Sequence, residues 1–177
     1  MVAYNHKAAI CSLRGAQNKA EGDGFEELIE TAAKIYADKK IAFIEKTPEP
    51  FRITGSLGNG KFAGHFTKQA QPDFKGTLKG GKSIVFDAKA TCTDRIKTSV
   101  LSDEQRKDLT LHRELGAETG VLLCFNFREF AWIPYADFIN AKELNGHEYW
   151  SREEARAYAV HYRDGYLDFL TARRTEV

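Results

Sequence analysis

The chain has 177 residues, of which 42% are hydrophobic and 29% charged, so it is long and apolar enough to bury the core of one globular domain. Its formal net charge of +1 favours no class of partner. No apolar run approaches the ~18 residues of a membrane span, and the N-terminal segment lacks the apolar stretch of a secretory signal. The three cysteines form no CxxC pair, which indicates a reduced, cytoplasmic protein with no membrane partner.

Basic residues are concentrated in two segments. Residues 1–20 contain three basic residues and no acid, which predicts a basic N-terminal arm over 1–23, ahead of a single domain over 24–177. Residues 52–89 contain seven basic residues and two acids, a net charge of +5. This pattern suits phosphate binding around a metal ion, and a solvated basic face explains it equally well. The candidate phosphate contacts are Arg52, Lys61, Lys68, Lys75, Lys79 and Lys82.

The first predicted elements are a helix and a strand. Apolar residues recur at helical spacing from Phe25 to Tyr36, which predicts an amphipathic helix over 24–38. A short apolar run predicts a strand over 41–45. The glycine-rich segment 51–71 has β-branched and aromatic residues at both ends. It is therefore either a hairpin arm that projects from the domain or a disordered loop.

The clearest local pattern is a hairpin of two strands, over 73–78 and 83–90. The connection contains the pair Gly80-Gly81, which suits a tight turn. Because side chains alternate along a strand, Asp87 and Lys89 lie on one face of the second strand and Phe86 on the other.

The rest of the chain predicts a mixed α/β fold. Capping boxes begin at Ser102 and Ser151. The predicted helices cover 102–115, 134–144 and 152–160, and the predicted strands cover 120–127, 129–134 and 166–170. We expect a mixed sheet flanked by helices. Within it, Phe130 and Trp132 are predicted to be core or edge-strand residues, and His65 and His112 to be surface residues.

Three residues of the predicted hairpin could form a metal-dependent hydrolytic site. Asp73 lies on the strand that pairs with the strand of Asp87 and Lys89, where cross-strand neighbours approach within ~5 Å. Two carboxylates can then share one hard cation that activates water and stabilises charge on phosphoryl oxygens. Lys89 would orient or deprotonate the attacking water. The alternative is a surface hairpin carrying an Asp–Lys pair worth little.

Two further residues are candidates on the flanking helices. Glu26 could act as an additional acid near the metal, with Glu27 as its alternative, or be an exposed helix carboxylate. Gln105 could help to position the site, although its role in the capping box also explains its presence.

Taken together, these motifs resemble the RecU-type Holliday-junction resolvases of the PD-(D/E)xK nuclease superfamily. The resemblance covers about 24–138. It rests on Gly24–Ile29, Lys46–Pro50, Asp73–Gly76, Val85–Lys89, Leu101–Gln105 and Gly120–Pro134. The chain departs from the family pattern in having Pro72 before the first Asp, where Thr is usual, and Asp87 in place of Glu. Both departures fit the wider superfamily pattern.

The resemblance implies a restriction-endonuclease-like α/β core and an endonuclease that resolves four-way junctions. It implies Mg²⁺, with Mn²⁺ as an alternative ion, held by Asp73 and Asp87 with Glu26 nearby, and catalysis by Lys89. The segment 51–71 occupies the position of the family's stalk, which inserts into the junction centre. A homodimer acting on DNA is expected, from a bacterial or phage-encoded source. The alternatives are another nuclease on the same core, restriction-like or phage-type, and a non-catalytic DNA-binding protein.

Overall fold

A computed structural model describes residues 22–48, 51–66 and 71–171. The predicted N-terminal arm lies outside these ranges except for residues 22 and 23, and Lys68 lies outside them too. The first half of the chain forms α1 (22–38), β1 (Ala42–Lys46), β2 (Phe51–Gly58), β3 (Lys61–Phe66), β4 (Phe74–Leu78) and β5 (Ser83–Thr91).

The second half contains four helices and six strands in the described residues. They are β6 (Arg95–Lys97), α2 (Asp103–Glu114), β7 (Glu118–Phe125), β8 (Glu129–Pro134), α3 (Tyr135–Ile139), α4 (Ala141–Asn145), β9 (Tyr149–Ser151), α5 (Arg152–Ala155), β10 (Ala159–Arg163) and β11 (Tyr166–Asp168). Short 3₁₀ turns, Thr98–Val100 and Arg156–Tyr158, follow β6 and α5.

Seven strands form one mixed sheet in the order β1-β4-β5-β7-β8-β10-β11. Strands β5 and β7 are parallel and joined by a crossover that contains α2, and the other neighbours pair antiparallel. Two small sheets lie outside it: the hairpin β2–β3 and the ribbon β6–β9. Parallel strands must be buried on both faces, which places β5 and β7 at the centre of the molecule.

Helices cover both faces of this sheet. On one face, α1 buries Phe25, Ile29 and Tyr36 in the same cluster as Phe86 and Trp132. On the other face, α2, α3, α4, β9 and α5 bury side chains against β5, β7 and β8. The members of this second cluster include Leu109, Tyr135, Phe138, Trp150, Val85, Val121, Leu123 and Ile133.

An aromatic cluster fixes the hairpin β4–β5 in place. The Phe86 ring stacks on Phe74 with centroids 5.0 Å apart and meets Trp132 at 5.1 Å. All three side chains are buried, and burial of each aromatic ring contributes roughly 1.5–3 kcal/mol. Because β5 alternates, anchoring Phe86 in this cluster directs Asp87 to the opposite face.

The C-terminal residues close the core beneath α1. The Tyr36 hydroxyl donates to Asp168 Oδ1 at 3.0 Å and accepts from the backbone N–H groups of Phe169 and Leu170 at 2.8 and 3.1 Å. Phe169 is fully buried and stacks on Trp132. The segment from residue 139 onwards lies outside the resemblance found in the sequence, yet up to residue 171 it contributes strands and core side chains to the domain.

Most predicted elements are confirmed. The helices predicted over 24–38 and 102–115 form α1 and α2, and the strands predicted over 41–45, 120–127 and 129–134 form β1, β7 and β8. The predicted tight turn is present, with Gly80 and Gly81 both at positive φ, a conformation that glycine adopts without strain.

Three predictions near the C-terminus are wrong in detail. The single helix predicted over 134–144 is two helices, α3 and α4, that meet at Asn140, which adopts φ −94° and ψ 20°. Asparagine favours such terminal positions because its side chain competes with helical hydrogen bonds. The helix predicted over 152–160 ends within a short turn, since residues 159–163 pair with β8 and β11. The last strand is Tyr166–Asp168 rather than 166–170.

Other predictions for individual residues agree with the structure. Trp132 is buried, Phe130 packs against the core, and His65 is exposed. Of the two alternatives for residues 51–71, the described part, 51–66, forms a hairpin. None of the described helices is long and apolar enough to cross a membrane.

Candidate active site

The register of β4 and β5 brings two carboxylates together. Phe74 pairs with Phe86 in antiparallel register, which places Asp73, the residue just before β4, opposite Asp87. Asp73 Oδ2 accepts a hydrogen bond from the backbone N–H of Ala88 at 2.9 Å. This bond holds the Asp73 side chain over β5 beyond the last β4–β5 pair.

Asp87 is a buried acid held by an amide. Its side chain is 0% exposed, and its Oδ1 accepts a hydrogen bond from Gln105 Nε2 at 2.5 Å. Gln105 Oε1 in turn accepts from the backbone N–H of Ser102 at 3.1 Å, and the Gln105 N–H donates to Ser102 Oγ at 3.1 Å. The capping box of α2 therefore fixes which end of the amide faces Asp87.

Lys89 joins the two carboxylates. Its Nζ forms an ion pair with Asp87 Oδ2 and lies 3.8 Å from Asp73 Oδ2. Asp87 Oδ2 is buried, and this contact with the Lys89 ammonium compensates its charge. The side chains of Asp73 and Lys89 are partly exposed, so the cluster is open to solvent on one side.

The electrostatics of the cluster follow from this arrangement. Burial raises the pKa of Asp87; the Lys89 ammonium opposes the rise, and the charge of Asp73 adds to it. Burial disfavours the charged form of Lys89, but the carboxylates of Asp87 and Asp73 outweigh it and raise its pKa. Two acids close together with one cation form a site in which a second cation would be stabilised.

Glu26 lies beside this cluster and is paired with a lysine. Its Oε2 is 2.5 Å from Lys46 Nζ at the end of β1. The bond to Glu26 is the main cause that raises the pKa of Lys46, and the charge of Asp73 adds to it. The charge of Glu26 also contributes to the raised pKa of Lys89. Glu26 is therefore within electrostatic range of the cluster without being in direct contact with it.

Lys46 is a residue that the sequence analysis did not select. Its place in the sheet explains why it lies near the site. Lys46 ends β1, the strand that pairs with β4, and it is paired in register with Phe74. A cation at that point therefore lies one residue from Asp73 across the strand pair. Only the pairing of β1 with β4 reveals this proximity.

The donor set fits one hard cation better than a soft metal. Asp73 and Asp87 supply two carboxylate ligands. Among the described residues no third His, Cys, Asp or Glu completes a larger group of metal ligands. Mg²⁺ is held by one or two carboxylates together with water and substrate phosphate oxygens. Structural zinc sites need four protein ligands, whereas two carboxylates suit a hard cation of this kind.

The predicted phosphate contacts are spread over two regions. Arg52 and Lys61 lie on the exposed β2–β3 hairpin, and Lys79 and Lys82 lie in the exposed β4–β5 turn. Lys75, on β4, donates to Gln71 Oε1 at 3.3 Å. The β4–β5 turn lies at the far end of β5 from Lys89, roughly 20 Å away at 3.3 Å per residue. The structure thus places Lys79 and Lys82 away from the carboxylates, whereas Lys75 lies two residues after Asp73.

A mixed sheet that carries two acids and a lysine at its centre is the arrangement expected of the nucleases predicted from the sequence. The chain belongs to the recombination protein U (RecU) family, whose model matches residues 20–171. Members of this family are Holliday-junction-resolving endonucleases, and the chain is an enzyme of that kind. The predicted mixed α/β fold, a mixed sheet flanked by helices, is confirmed.

Two further comparisons complete this result. Comparison with curated proteins gives no match. Among solved structures the chain is similar to Hjc of Archaeoglobus fulgidus, a Holliday junction resolvase from an archaeal hyperthermophile. The identity is 17%, the match covers 60% of this chain and 74% of that chain, and the TM-score is 0.39.

Proposed function

We propose that this resolvase hydrolyses DNA phosphodiesters with Mg²⁺ at Asp73 and Asp87, and that Lys89 is its third catalytic residue. The observation that carries the proposal is the convergence of both carboxylates on the Lys89 ammonium at the open side of β5. A stable ion pair does not need a second acid, whereas two neighbouring carboxylates can share one divalent cation. Mn²⁺ is the alternative ion.

Each protein group has a separate role in this proposal. Bound there, Mg²⁺ would lower the pKa of water and stabilise charge on the phosphoryl oxygens. Lys89 Nζ orients the attacking water and faces the phosphate. Gln105 is a positioning residue, since its amide holds Asp87 Oδ1. Glu26 contributes charge and, through water, a further contact to the ion.

The junction is the proposed substrate because of the β2–β3 hairpin. Strand β2 is exposed along its entire length, and four large apolar side chains of this hairpin are 47–69% exposed: Phe51, Ile53, Leu57 and Phe62. The exposed rings of Phe51 and Phe62, beside Arg52 and Lys61, can stack on exposed base faces while the cations contact phosphates. The open centre of a junction exposes the faces of unstacked base pairs, and the interior of a linear duplex does not.

Junction resolution also requires two cuts in fixed relation. A homodimer with two-fold symmetry supplies two identical active sites related by one axis. We therefore propose a homodimer as the active form, with a four-way junction as its DNA partner.

The test is cleavage of three labelled substrates, a four-way junction, a linear duplex and a single strand, in Mg²⁺, in Mn²⁺ and in EDTA. The proposal predicts symmetric nicks in the junction that need the metal and are absent with Asp87→Asn. Cleavage in EDTA, or by that variant at the normal rate, would overturn the assignment of the site. Equal affinity for junction and duplex at raised salt would leave a general nuclease and remove the junction preference.

A further inference from the structure

A cavity lies directly beside the cluster of Asp73, Asp87 and Lys89. It has a volume of about 300 Å³ and shares Lys89 with the cluster. Strand β6 and the 3₁₀ turn after it form its other wall, with Arg95, Lys97, Ser99 and Val100. The two cations share one face of β6, because Ile96 between them is buried on the opposite face. The cavity therefore begins at the catalytic lysine and leads along a positively charged strand.

The charges of the two β6 cations are not paired with carboxylates of the described residues. Within the described part of the chain, neither Arg95 nor Lys97 forms an ion pair with a carboxylate, whereas Lys89 pairs with two. Both side chains are exposed. A pair of uncompensated cations at the mouth of an active site favours an anionic ligand.

The position of Arg95 is fixed by stacking. Its guanidinium lies over the Tyr149 ring of β9, 5.4 Å from the centroid. Tyr149 stacks in turn on His147 at 3.6 Å, and His147 Nε2 lies 3.1 Å from Glu154 Oε1. Such stacking holds the planar guanidinium in one orientation, which reduces the entropy lost when it binds an oxyanion.

Helix α2 anchors the wall of the cavity that contains Lys97. Arg106 donates to the carbonyl oxygens of Thr98 and Leu101, and Thr98 pairs through its backbone with Glu148 next to β9. The cavity wall is thus anchored to α2, the helix that also supplies Gln105 to Asp87. The catalytic carboxylate and the cavity are positioned by the same element.

We propose that Arg95 and Lys97 form a subsite for the DNA phosphate next to the one that is cleaved. The inference rests on the proposed function, since Asp73, Asp87 and Lys89 define where the scissile phosphate lies. A DNA strand that places one phosphate at Lys89 carries the next phosphate one nucleotide further along. The cavity continues from Lys89 to Arg95 and Lys97, where that next phosphate would lie. Val100, 43% exposed, supplies an apolar contact for the intervening sugar. The subsite fixes the register of the strand and not its sequence.

The test pairs protein variants with single neutral phosphates. Junctions carrying one methylphosphonate at the first or second phosphate on either side of the mapped nick are compared with unmodified DNA. Metal-free affinity is measured for the unmodified protein, Arg95→Gln, Lys97→Gln and the control Arg163→Gln. Arg163 is an exposed residue of β10, three strands from β5, so the control removes the same charge far from the cavity.

We expect one methylphosphonate adjacent to the nick to weaken binding by the unmodified protein and by Arg163→Gln, but to have no further effect on Arg95→Gln or Lys97→Gln. Each of these two variants should also lower the slope of log affinity against log salt by about 1. Methylphosphonates that act equally on all four proteins would overturn the subsite. An unmodified protein that nicks no junction in Mg²⁺ would instead overturn the proposed function.

Discussion

Gln105 Nε2 donates to Asp87 Oδ1 at 2.5 Å while Gln105 Oε1 accepts from the Ser102 N–H at 3.1 Å. One amide thus joins the start of a helix to a fully buried carboxylate at the centre of the sheet. Because a primary amide presents its donor and acceptor in fixed relation, the geometry of the helix N-terminus sets the orientation of the acid. The capping box and the proposed catalytic site are one structural unit.

This relationship predicts that Gln105→Glu separates capping from positioning. Glutamate serves equally in a capping box, so α2 should retain its N-terminus. An ionised carboxylate, however, cannot donate to Asp87 and repels it. We expect single-turnover cleavage in Mg²⁺ to fall by at least about tenfold, the ~1.4 kcal/mol expected for a lost charge-assisted hydrogen bond.

The matched comparison is Ser102→Ala, which removes the cap and leaves the Gln105 amide. It should lower the free energy of unfolding by about 1 kcal/mol with a smaller loss of cleavage rate. If Ser102→Ala slowed cleavage as much as Gln105→Glu, the effect of Gln105 would be due to the helix alone.

The Asp87→Asn variant should abolish cleavage and leave binding intact or tighter. A neutral amide is a poor ligand for Mg²⁺, and loss of a carboxylate near phosphate removes a repulsion when no metal is bound. The measurements are single-turnover cleavage in Mg²⁺ and junction affinity in EDTA. The control is Asp164→Asn, in the exposed β10–β11 turn, where φ is 52° and asparagine is well tolerated. Cleavage at the normal rate by Asp87→Asn would show that this carboxylate is not a ligand.

The Lys89→Ala variant should reduce turnover far more than affinity. A positioned group that transfers or orients a proton contributes about 10²–10⁴-fold, whereas one exposed charge among many phosphate contacts contributes roughly 1 kcal/mol or less. Single-turnover rates and junction affinities measure the two effects separately. Normal turnover with strongly weakened binding would make Lys89 a plain DNA contact.

Replacement of residues 55–63 by a two-residue Asn-Gly turn should remove the preference for junctions. The change deletes Leu57 and Phe62, which are 69% and 56% exposed. It removes no buried core residue. Competition between junction and duplex at raised salt measures the preference, and residual nicking of duplex shows that the metal site persists. The control is Leu144→Gln, which removes a similarly exposed leucine of α4. A shortened protein that still preferred junctions would place recognition elsewhere.

The Tyr36–Asp168 contact predicts an acid-dependent contribution to stability. Burial opposes the charge on Asp168, but hydrogen bonds from Thr171 and Tyr36 outweigh it and lower its pKa. A carboxylate with a lowered pKa stabilises the fold above its unfolded value of about 3.9, and the contribution is lost as the pH falls through the folded pKa. The gap in unfolding free energy between the unmodified protein and Asp168→Asn should therefore be constant above about pH 5 and shrink below about pH 4.

Urea unfolding across this pH range measures the gap. Tyr36→Phe tests the same contact from the other side, because it removes the hydroxyl that accepts from the Leu170 N–H, at a cost of about 1–3 kcal/mol. The exposed Tyr162→Phe is its control. The outcome against this prediction is a difference in unfolding free energy between the unmodified protein and Asp168→Asn that does not change with pH. In that case the charge of Asp168 does not contribute to stability.

Local patterns in the sequence determined the elements that the chemistry needs. Alternation in residues 83–90 placed Asp87 and Lys89 on one face, the Gly80-Gly81 pair set the tight turn, and the Ser102 capping box set the start of α2. Each of these is a short-range effect, because strand alternation, turn conformation and helix capping depend on neighbours within a few residues.

Only the tertiary structure decided which of these residues meet. The Gln105–Asp87 bond spans the β5–α2 connection, Lys46 reaches the site because β1 pairs with β4, and Arg95 and Lys97 flank Lys89 because β6 pairs with β9. The strands β6 and β9, of three residues each, are too short for a periodic pattern, so they form through pairing partners distant in the chain. Short strands are stabilised by cross-strand contacts and burial rather than by their own sequence preference, and one sequence does not reveal those contacts.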